Sequence, residues 1–144
     1  MVDVNHDSRP DLVTLTLTQL AVRLQAADGS FSQPHVITSL RAGRAIAVGD
    51  VNADHNPDVY VVAGKGGSVN NQCESVTNQP DLLRLGTPTG TFPTQLPVPE
   101  SSVGQGDHAY PIDYNRDGLT DFLVLNGRDT NPGLIQLLRC AATP

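Results

Sequence analysis

The sequence predicts an all-β protein built from a repeated unit that contains one acidic loop. A nine-residue pattern, Asp-x-Asn-x-Asp-x-x-x-Asp, occurs three times, at residues 3–11, 50–58 and 113–121. Short apolar or alternating segments, typical of β-strands, flank each copy of the pattern. No segment carries a sustained 3.6-residue period with caps, so we predict no helix.

Ten segments are predicted to be strands. Thr14–Thr18 alternates strictly between polar and apolar residues, which is typical of a half-buried strand. Val59–Ala63 and Phe122–Leu125 are apolar or β-branched runs that a Gly follows closely, as in buried strands. The other predicted strands are Leu20–Leu24, His35–Leu40, Arg44–Val48, Leu82–Leu85, Gln95–Val98, Tyr110–Ile112 and Leu134–Leu138.

The spacing of the loops defines the units. The second interval between loops is longer than the first, and the polar, Gly- and Asn-rich segment 65–80 accounts for this as an insertion. Four strands in each unit of this size are typical of a β-propeller blade. We therefore predict a partial β-propeller of about two and a half four-stranded antiparallel blades. They are blade A at 1–43, incomplete, blade B at 44–106 with the insertion, and blade C at 107–144, incomplete.

Composition excludes several classes of protein. The chain has 144 residues, with 15 acidic against 9 basic side chains and a net charge of −6. This acidic balance argues against nucleic acid as a partner, because such binding needs a basic face. No apolar run is long enough to cross a membrane. The first residues lead directly into an acidic loop and lack the regions of a signal peptide, so we expect the sequence to begin inside a longer protein.

The acidic loops have the oxygen-rich pattern of a cation site. Side-chain oxygens occupy positions 1, 3, 5 and 9, and a backbone carbonyl is available at position 7. Calcium takes six to eight oxygen ligands and tolerates irregular geometry, whereas magnesium demands stricter octahedral order. Zinc prefers His and Cys, but His6 and His55 lie between the ligand positions. Calcium is therefore the predicted ion.

Two further observations bear on the loops. They are not EF-hands, because position 12 lies inside a predicted strand and carries no Glu. Position 6 is Gly only at Gly118, so a positive φ there would strain Ser8 and His55, and the third loop should bind best. An Asx-type turn remains an alternative for a single loop. Carboxylates this close repel one another without a cation, which favours a metal.

The combined motifs resemble the FG-GAP/VCBS-type repeats, the calcium-binding blades of integrin-alpha-like β-propellers. The resemblance rests on Gly49–Asp54, Pro57–Val62 and Asp28–Phe31. It implies a loop between the first two strands of each blade, and a chain that is a fragment of a ring of about seven blades. The Phe-Gly and Gly-Ala-Pro signatures are absent, so the sequence is closer to the VCBS-type variety. By this resemblance the ligands of up to three Ca²⁺ ions are Asp3, Asn5, Asp7, Arg9 (carbonyl), Asp11, Asp50, Asn52, Asp54, Asn56 (carbonyl), Asp58, Asp113, Asn115, Asp117, Leu119 (carbonyl) and Asp121.

The sequence also lacks the common catalytic motifs. No nucleophile elbow, zincin or phosphate-loop motif occurs, so we expect no enzyme and no catalytic residue. We interpret Asp107–His108 as a surface loop before a strand that starts at Tyr110. Cys73 and Cys140 are open to either a disulfide or two separate thiols.

The leading hypothesis is a non-catalytic calcium-binding module for extracellular protein or carbohydrate binding and adhesion. The resemblance implies a secreted or cell-surface protein, while the ligand stays unknown. Remaining blades, or a second copy that joins through exposed edges, are the other expected partners. One alternative is the propeller portion of a larger secreted enzyme, such as a carbohydrate-active or other hydrolase, with its catalytic residues elsewhere. Another is a scaffold in which the loops are metal-free turns.

Overall fold

The computed structural model describes residues 1–39, 43–63, 81–96, 98, 106–126 and 134–138. These residues form ten β-strands and no helix, which confirms the all-β class. The insertion at 65–80, Cys73, Cys140 and the predicted turn at 127–130 lie outside the described residues. Within the described part of the chain, no helix is long and apolar enough to cross a membrane. The strands are β1 (Leu12–Leu15), β2 (Gln19–Arg23), β3 (His35–Ser39), β4 (Gly43–Gly49), β5 (Asp58–Ala63), β6 (Leu82–Leu85), β7 (Thr94–Leu96), β8 (Gly106–Ile112), β9 (Asp121–Asn126) and β10 (Leu134–Leu138).

The strands form three antiparallel sheets that follow the order of the chain. Sheet A has the order β1-β2-β3, sheet B the order β4-β5-β6-β7, and sheet C the order β10-β9-β8. Sheet B is thus a four-stranded antiparallel unit of the kind that the repeat predicts. Strands β6 and β7 are connected through a turn at Gly90, whose φ is +71° and whose amide donates to the Thr87 carbonyl at 2.9 Å.

The three sheets share one register around the acidic loops. In each case the residue before the loop pairs with the ninth loop residue, as Val2 with Asp11, Gly49 with Asp58 and Ile112 with Asp121. This makes β1 the counterpart of β5 and β9, the strands that follow the loop. In sheet B, strand β4 pairs with β5. At the equivalent place in sheet A, Val2 is the one residue that forms a pair among those that the structure describes.

Sheet B lies between the other two sheets, and each of its faces belongs to a separate apolar core. Val59 and Val61 of β5 pack with Leu20, Val22 and other residues on the side of sheet A. Tyr60 and Val62, on the opposite face of the same strand, pack with Phe122 and Val124 of sheet C. The rings of Tyr60 and Phe122 are stacked with their centroids 5.0 Å apart. Burial on both faces explains why β5 is an uninterrupted apolar run rather than an alternating one.

Two sequence interpretations are corrected by the strand boundaries. The strand predicted at Thr14–Thr18 ends at Leu15, because Thr16 begins a tight hairpin: its amide donates to the Gln19 carbonyl at 2.8 Å. Asp107–His108 lies inside β8 rather than in a loop, since His108 pairs with Leu125 in the ladder with β9. An irregularity between Gly106 and His108 interrupts this ladder without ending it.

Candidate metal-binding loops

The three acidic loops, here loop 1 (residues 3–11), loop 2 (50–58) and loop 3 (113–121), share one backbone conformation. Positions 4 and 6 of every loop have a positive φ, between 59° and 86°. At position 6 these residues are Ser8, His55 and Gly118, as the sequence pattern led us to consider. At position 4 they are His6, Ala53 and Arg116. These three residue types have nothing in common that would predict a positive φ from the sequence.

The first carboxylate of each loop holds the turn together. The Asp at position 1 accepts a hydrogen bond from the amide at position 6, at 2.8 Å in loop 1, 2.9 Å in loop 2 and 3.1 Å in loop 3. These are Asp3 with Ser8, Asp50 with His55 and Asp113 with Gly118. Position 6 takes a left-handed conformation in each loop, so two of the three loops maintain it without the freedom of a glycine.

Positions 3 and 5 are linked in the same way in all three loops. The Asn side-chain amide at position 3 donates to the Asp carboxylate at position 5, at 2.9, 3.0 and 2.8 Å in loops 1 to 3. The other carboxylate oxygen at position 5 accepts from the amide at position 7, at 2.9, 2.8 and 2.9 Å. The carboxylates at positions 1 and 5 therefore both accept hydrogen bonds from within the loop.

The ninth residue has a different environment, because it is buried. Asp11, Asp58 and Asp121 are all 0% exposed. One carboxylate oxygen of each accepts from the amide at position 2, at 2.9 Å in loops 1 and 2 and 3.0 Å in loop 3. The second oxygen of Asp11 accepts from the Gln25 amide, and that of Asp58 from the Gly86 amide, both at 2.8 Å. Asp11 and Asp58 therefore connect their loops to the turn that comes after the next two strands of the same sheet.

Two carboxyl groups in loop 2 respond differently to their surroundings. Burial raises the pKa of Asp58 to about 6, even though the Val51 and Gly86 amides favour its ionised form. Desolvation also acts on Asp54, but hydrogen bonds from Asn56 and Asn52 outweigh it and lower the pKa of this carboxyl. Asp54 is therefore ionised near neutral pH, whereas Asp58 is held close to its titration point.

In loop 1 an arginine lies next to the fifth position. The Arg9 guanidinium pairs with the Asp7 carboxylate and also donates from Nε to the Gln25 carbonyl at 2.9 Å. Desolvation opposes ionisation of Asp7, but hydrogen bonds from Asn5 and Arg9 prevail and lower its pKa. The positive charge of Arg9 competes with a cation for the same carboxylate, and this distinguishes loop 1 from the other two.

The loops lie next to one another along one edge of the stacked sheets. The His6 ring of loop 1 is within 3.2 Å, Nε2 to Oδ1, of Asn56 in loop 2. The Thr120 amide of loop 3 donates to the Asp50 carbonyl of loop 2 at 2.7 Å. The structure thus brings the three sets of predicted ligand residues to one rim, which the sequence alone does not indicate.

The donor atoms suit a hard cation in kind, since all predicted ligands are carboxylate, amide or carbonyl oxygens. Among the described residues, however, no three Asp, Glu, His or Cys side chains are grouped tightly enough to hold a metal ion. In loop 2 the carboxylates at positions 1 and 5 accept from loop amides, and the carboxylate at position 9 accepts from one loop amide and from the Gly86 amide. Coordination would require rotation of side chains on a backbone that already has its shape.

Residues 3–61 match the family model of the FG-GAP-like repeat. The chain therefore contains an FG-GAP-like repeat at these residues. The match covers loops 1 and 2 and ends within β5. Loop 3 lies beyond the matched residues, yet it has the positive φ pattern and hydrogen bonds of the other two loops. No curated protein and no solved structure matches the chain.

Proposed function

We propose that this chain is a non-catalytic calcium-binding β-propeller module that serves extracellular binding of protein or carbohydrate. The observation that carries the proposal is the threefold recurrence of one loop conformation. Positions 4, 6 and 7 carry a different residue type in every loop, while the oxygen-bearing positions 1, 3, 5 and 9 are constant. Each constant side chain carries an oxygen of the kind that calcium prefers, in addition to the hydrogen bond that it makes in the loop.

The residues that would hold each ion are the Asp side chains at positions 1, 5 and 9, the Asn side chain at position 3 and the carbonyl at position 7. One bound Ca²⁺ would offset two of the three negative charges that these carboxylates carry within nine residues of chain. Hydrogen bonds already give the loop backbone its shape, so calcium binding would have to reorient side chains but would not have to order the backbone. Millimolar calcium outside cells suits weak sites of this kind.

The loops should differ in affinity. Loop 3 has Gly118 at position 6, where a side chain would be strained. In loop 1 the Arg9 guanidinium pairs with Asp7, the predicted ligand at position 5, and an incoming cation must displace it. We therefore rank loop 3 first and loop 1 last in affinity for calcium.

Calorimetric titration of the 144-residue chain with CaCl₂, and with MgCl₂ for comparison, tests the proposal. We expect calcium to bind and to raise the melting temperature, and EGTA to reverse the rise. Asp117→Ala and Asp54→Ala should each remove one site. Asp28→Ala is the matched control, because Asp28 is an exposed acidic residue that bonds to Ser30 outside the three loops. An unchanged melting temperature with calcium would refute the metal claim and favour metal-free turns.

A further inference from the structure

Loop 1 differs from the other two loops in the side chain at position 7. This residue is Arg9 in loop 1, whereas loops 2 and 3 carry the uncharged side chains of Asn56 and Leu119 there. The Arg9 guanidinium pairs with the Asp7 carboxylate, and its Nε donates to the Gln25 carbonyl at 2.9 Å. A positive charge of the protein itself therefore lies against a carboxylate that is a predicted calcium ligand.

The carboxylate at position 5 has two hydrogen bonds that are common to all three loops. One oxygen accepts from the amide at position 7, and the other accepts from the Asn side chain at position 3. In loop 1 the second of these oxygens, Oδ2 of Asp7, also pairs with the Arg9 guanidinium. The two common bonds leave acceptor capacity on Asp54 and Asp117, whereas on Asp7 a cation takes part of that capacity.

Arg9 also connects loop 1 to the turn that follows β2, through the carbonyl of Gln25. The amide of Gln25 donates to Asp11 at 2.8 Å, so loop 1 holds both backbone groups of this residue, which itself pairs with Phe31 across the turn. The side chains of Arg9 and Asp7 are 40% and 21% exposed, so water shields their pair only in part. An isolated surface ion pair contributes little to stability, but this pair belongs to a network that joins two segments of the chain.

A calcium ion that enters loop 1 has to break these contacts. Calcium bound by Asp7 would lie next to the guanidinium, and two cations at that distance repel each other. Arg9 would therefore have to leave both Asp7 and the Gln25 carbonyl. Extracellular calcium modules have a Kd of about 10⁻⁴–10⁻³ M, so a tenfold weaker Kd leaves a site at the upper end of this range mostly empty in millimolar calcium.

We propose that Arg9 takes the place of calcium in loop 1, so that this loop keeps its conformation and its contact with Gln25 without metal, while loops 2 and 3 respond to calcium. The behaviour of loops 2 and 3 rests on the proposed function, whereas that of loop 1 rests on bonds that the chain makes by itself. Arg9 is thus the residue that separates a metal-independent loop from two metal-dependent ones.

Arg9→Leu tests the proposal, because it gives loop 1 the residue that loop 3 carries at position 7 and leaves the backbone carbonyl, the predicted ligand, in place. Amide hydrogen exchange of the ¹⁵N-labelled 144-residue chain in EGTA is the metal-free readout. We expect the Ser8 and Gln25 amides to exchange at least fivefold faster in this variant. Arg116→Leu is the matched control, because Arg116 is an exposed arginine at position 4 of loop 3, and it should leave both amides unchanged.

A calcium titration followed through the same amide signals is the second readout. In the wild-type chain, calcium should shift the Gly118 and His55 amides, while the Ser8 amide keeps its position up to about 10 mM. In Arg9→Leu the Ser8 amide should respond with a midpoint at least tenfold lower, on the order of 1 mM. Circular dichroism establishes that both variants are folded.

The two readouts separate this proposal from the metal sites in general. The proposal is overturned if loop 1 of the wild-type chain binds calcium within threefold of loop 3, or if Arg9→Leu leaves the exchange of Ser8 and Gln25 unchanged. It is also overturned if loops 2 and 3 bind calcium and Arg9→Leu adds no response in loop 1. A chain in which no loop binds calcium refutes the proposed function, and exchange in EGTA alone then decides whether Arg9 holds loop 1.

Discussion

The buried ninth carboxylate of loop 1 has a structural role that a substitution can isolate. Asp11→Ala removes the acceptor for two backbone amides, those of Val4 at 2.9 Å and Gln25 at 2.8 Å. A buried donor left without a partner costs about 1–3 kcal/mol. The Val4 bond is buried and the Gln25 bond is partly buried, so we expect a loss of about 2–4 kcal/mol, a large share of the roughly 5–15 kcal/mol that holds a typical domain folded.

Asp3→Ala is the matched control, because it removes one carboxylate and one predicted ligand from the same loop. Asp3 accepts from the exposed Ser8 amide and from the partly buried Asp7 amide. Water can replace the acceptor for Ser8 and Asn5 also accepts from Asp7, so we expect a cost below about 1 kcal/mol. Urea unfolding followed by far-ultraviolet circular dichroism in EGTA measures both variants without calcium. Equal losses, within about 0.5 kcal/mol, would show that the reasoning from burial is wrong.

Three further substitutions test other parts of the structure. Burial raises the pKa of Asp81 to about 6 against an ordinary 3.8, despite the hydrogen bond from the Tyr60 hydroxyl, so the native state binds this proton more tightly than the unfolded state. The free energy of unfolding should therefore rise as the pH falls from about 7 to 4, by up to about 3 kcal/mol more than in the Asp81→Asn variant. Parallel plots of unfolding free energy against pH for the two proteins would contradict this. His55→Gly relieves a positive φ of 65° on an exposed side chain, so stability in EGTA should increase by about 1 kcal/mol; a loss would show that the turn is unstrained. Gly86→Ala places a Cβ 2.1 Å from the Pro57 carbonyl oxygen and should cost about 1–3 kcal/mol or more in urea unfolding, whereas wild-type stability would mean that the hairpin shifts freely.

Most strand positions were predictable, because buried strands consist of apolar and β-branched residues or of residues that alternate between apolar and polar. Leu82–Leu85 and Leu134–Leu138 coincide with β6 and β10. The start of β8 was not predictable, since Gly106–His108 has neither β-branched residues nor alternation, and pairing with β9 alone makes it a strand. The end of β1 was not predictable because the alternation of Thr and Leu continues past the strand into the hairpin. There the Thr16 hydroxyl accepts from the Gln19 amide at 3.0 Å.

The candidate site was predictable in composition but not in arrangement. Residue types identify the oxygen donors and lead to the question of backbone strain at Ser8 and His55, both of which have a positive φ. The same conformation at position 4 leaves no signal, because a histidine, an alanine and an arginine occupy it. Contacts between loops, such as that of His6 with Asn56 at 3.2 Å, depend on the stacking of sheets and cannot be inferred from spacing.

The Asp at position 9 of each loop is both a predicted metal ligand and a buried part of the fold. A carboxylate offers about four acceptor positions, so the two amide hydrogen bonds that Asp58 accepts leave capacity for a cation. Its burial makes ionisation costly, as the pKa of about 6 shows, and a bound cation would offset that cost by favouring the charged form. Calcium should therefore lower this pKa and remove its contribution to the pH dependence of stability.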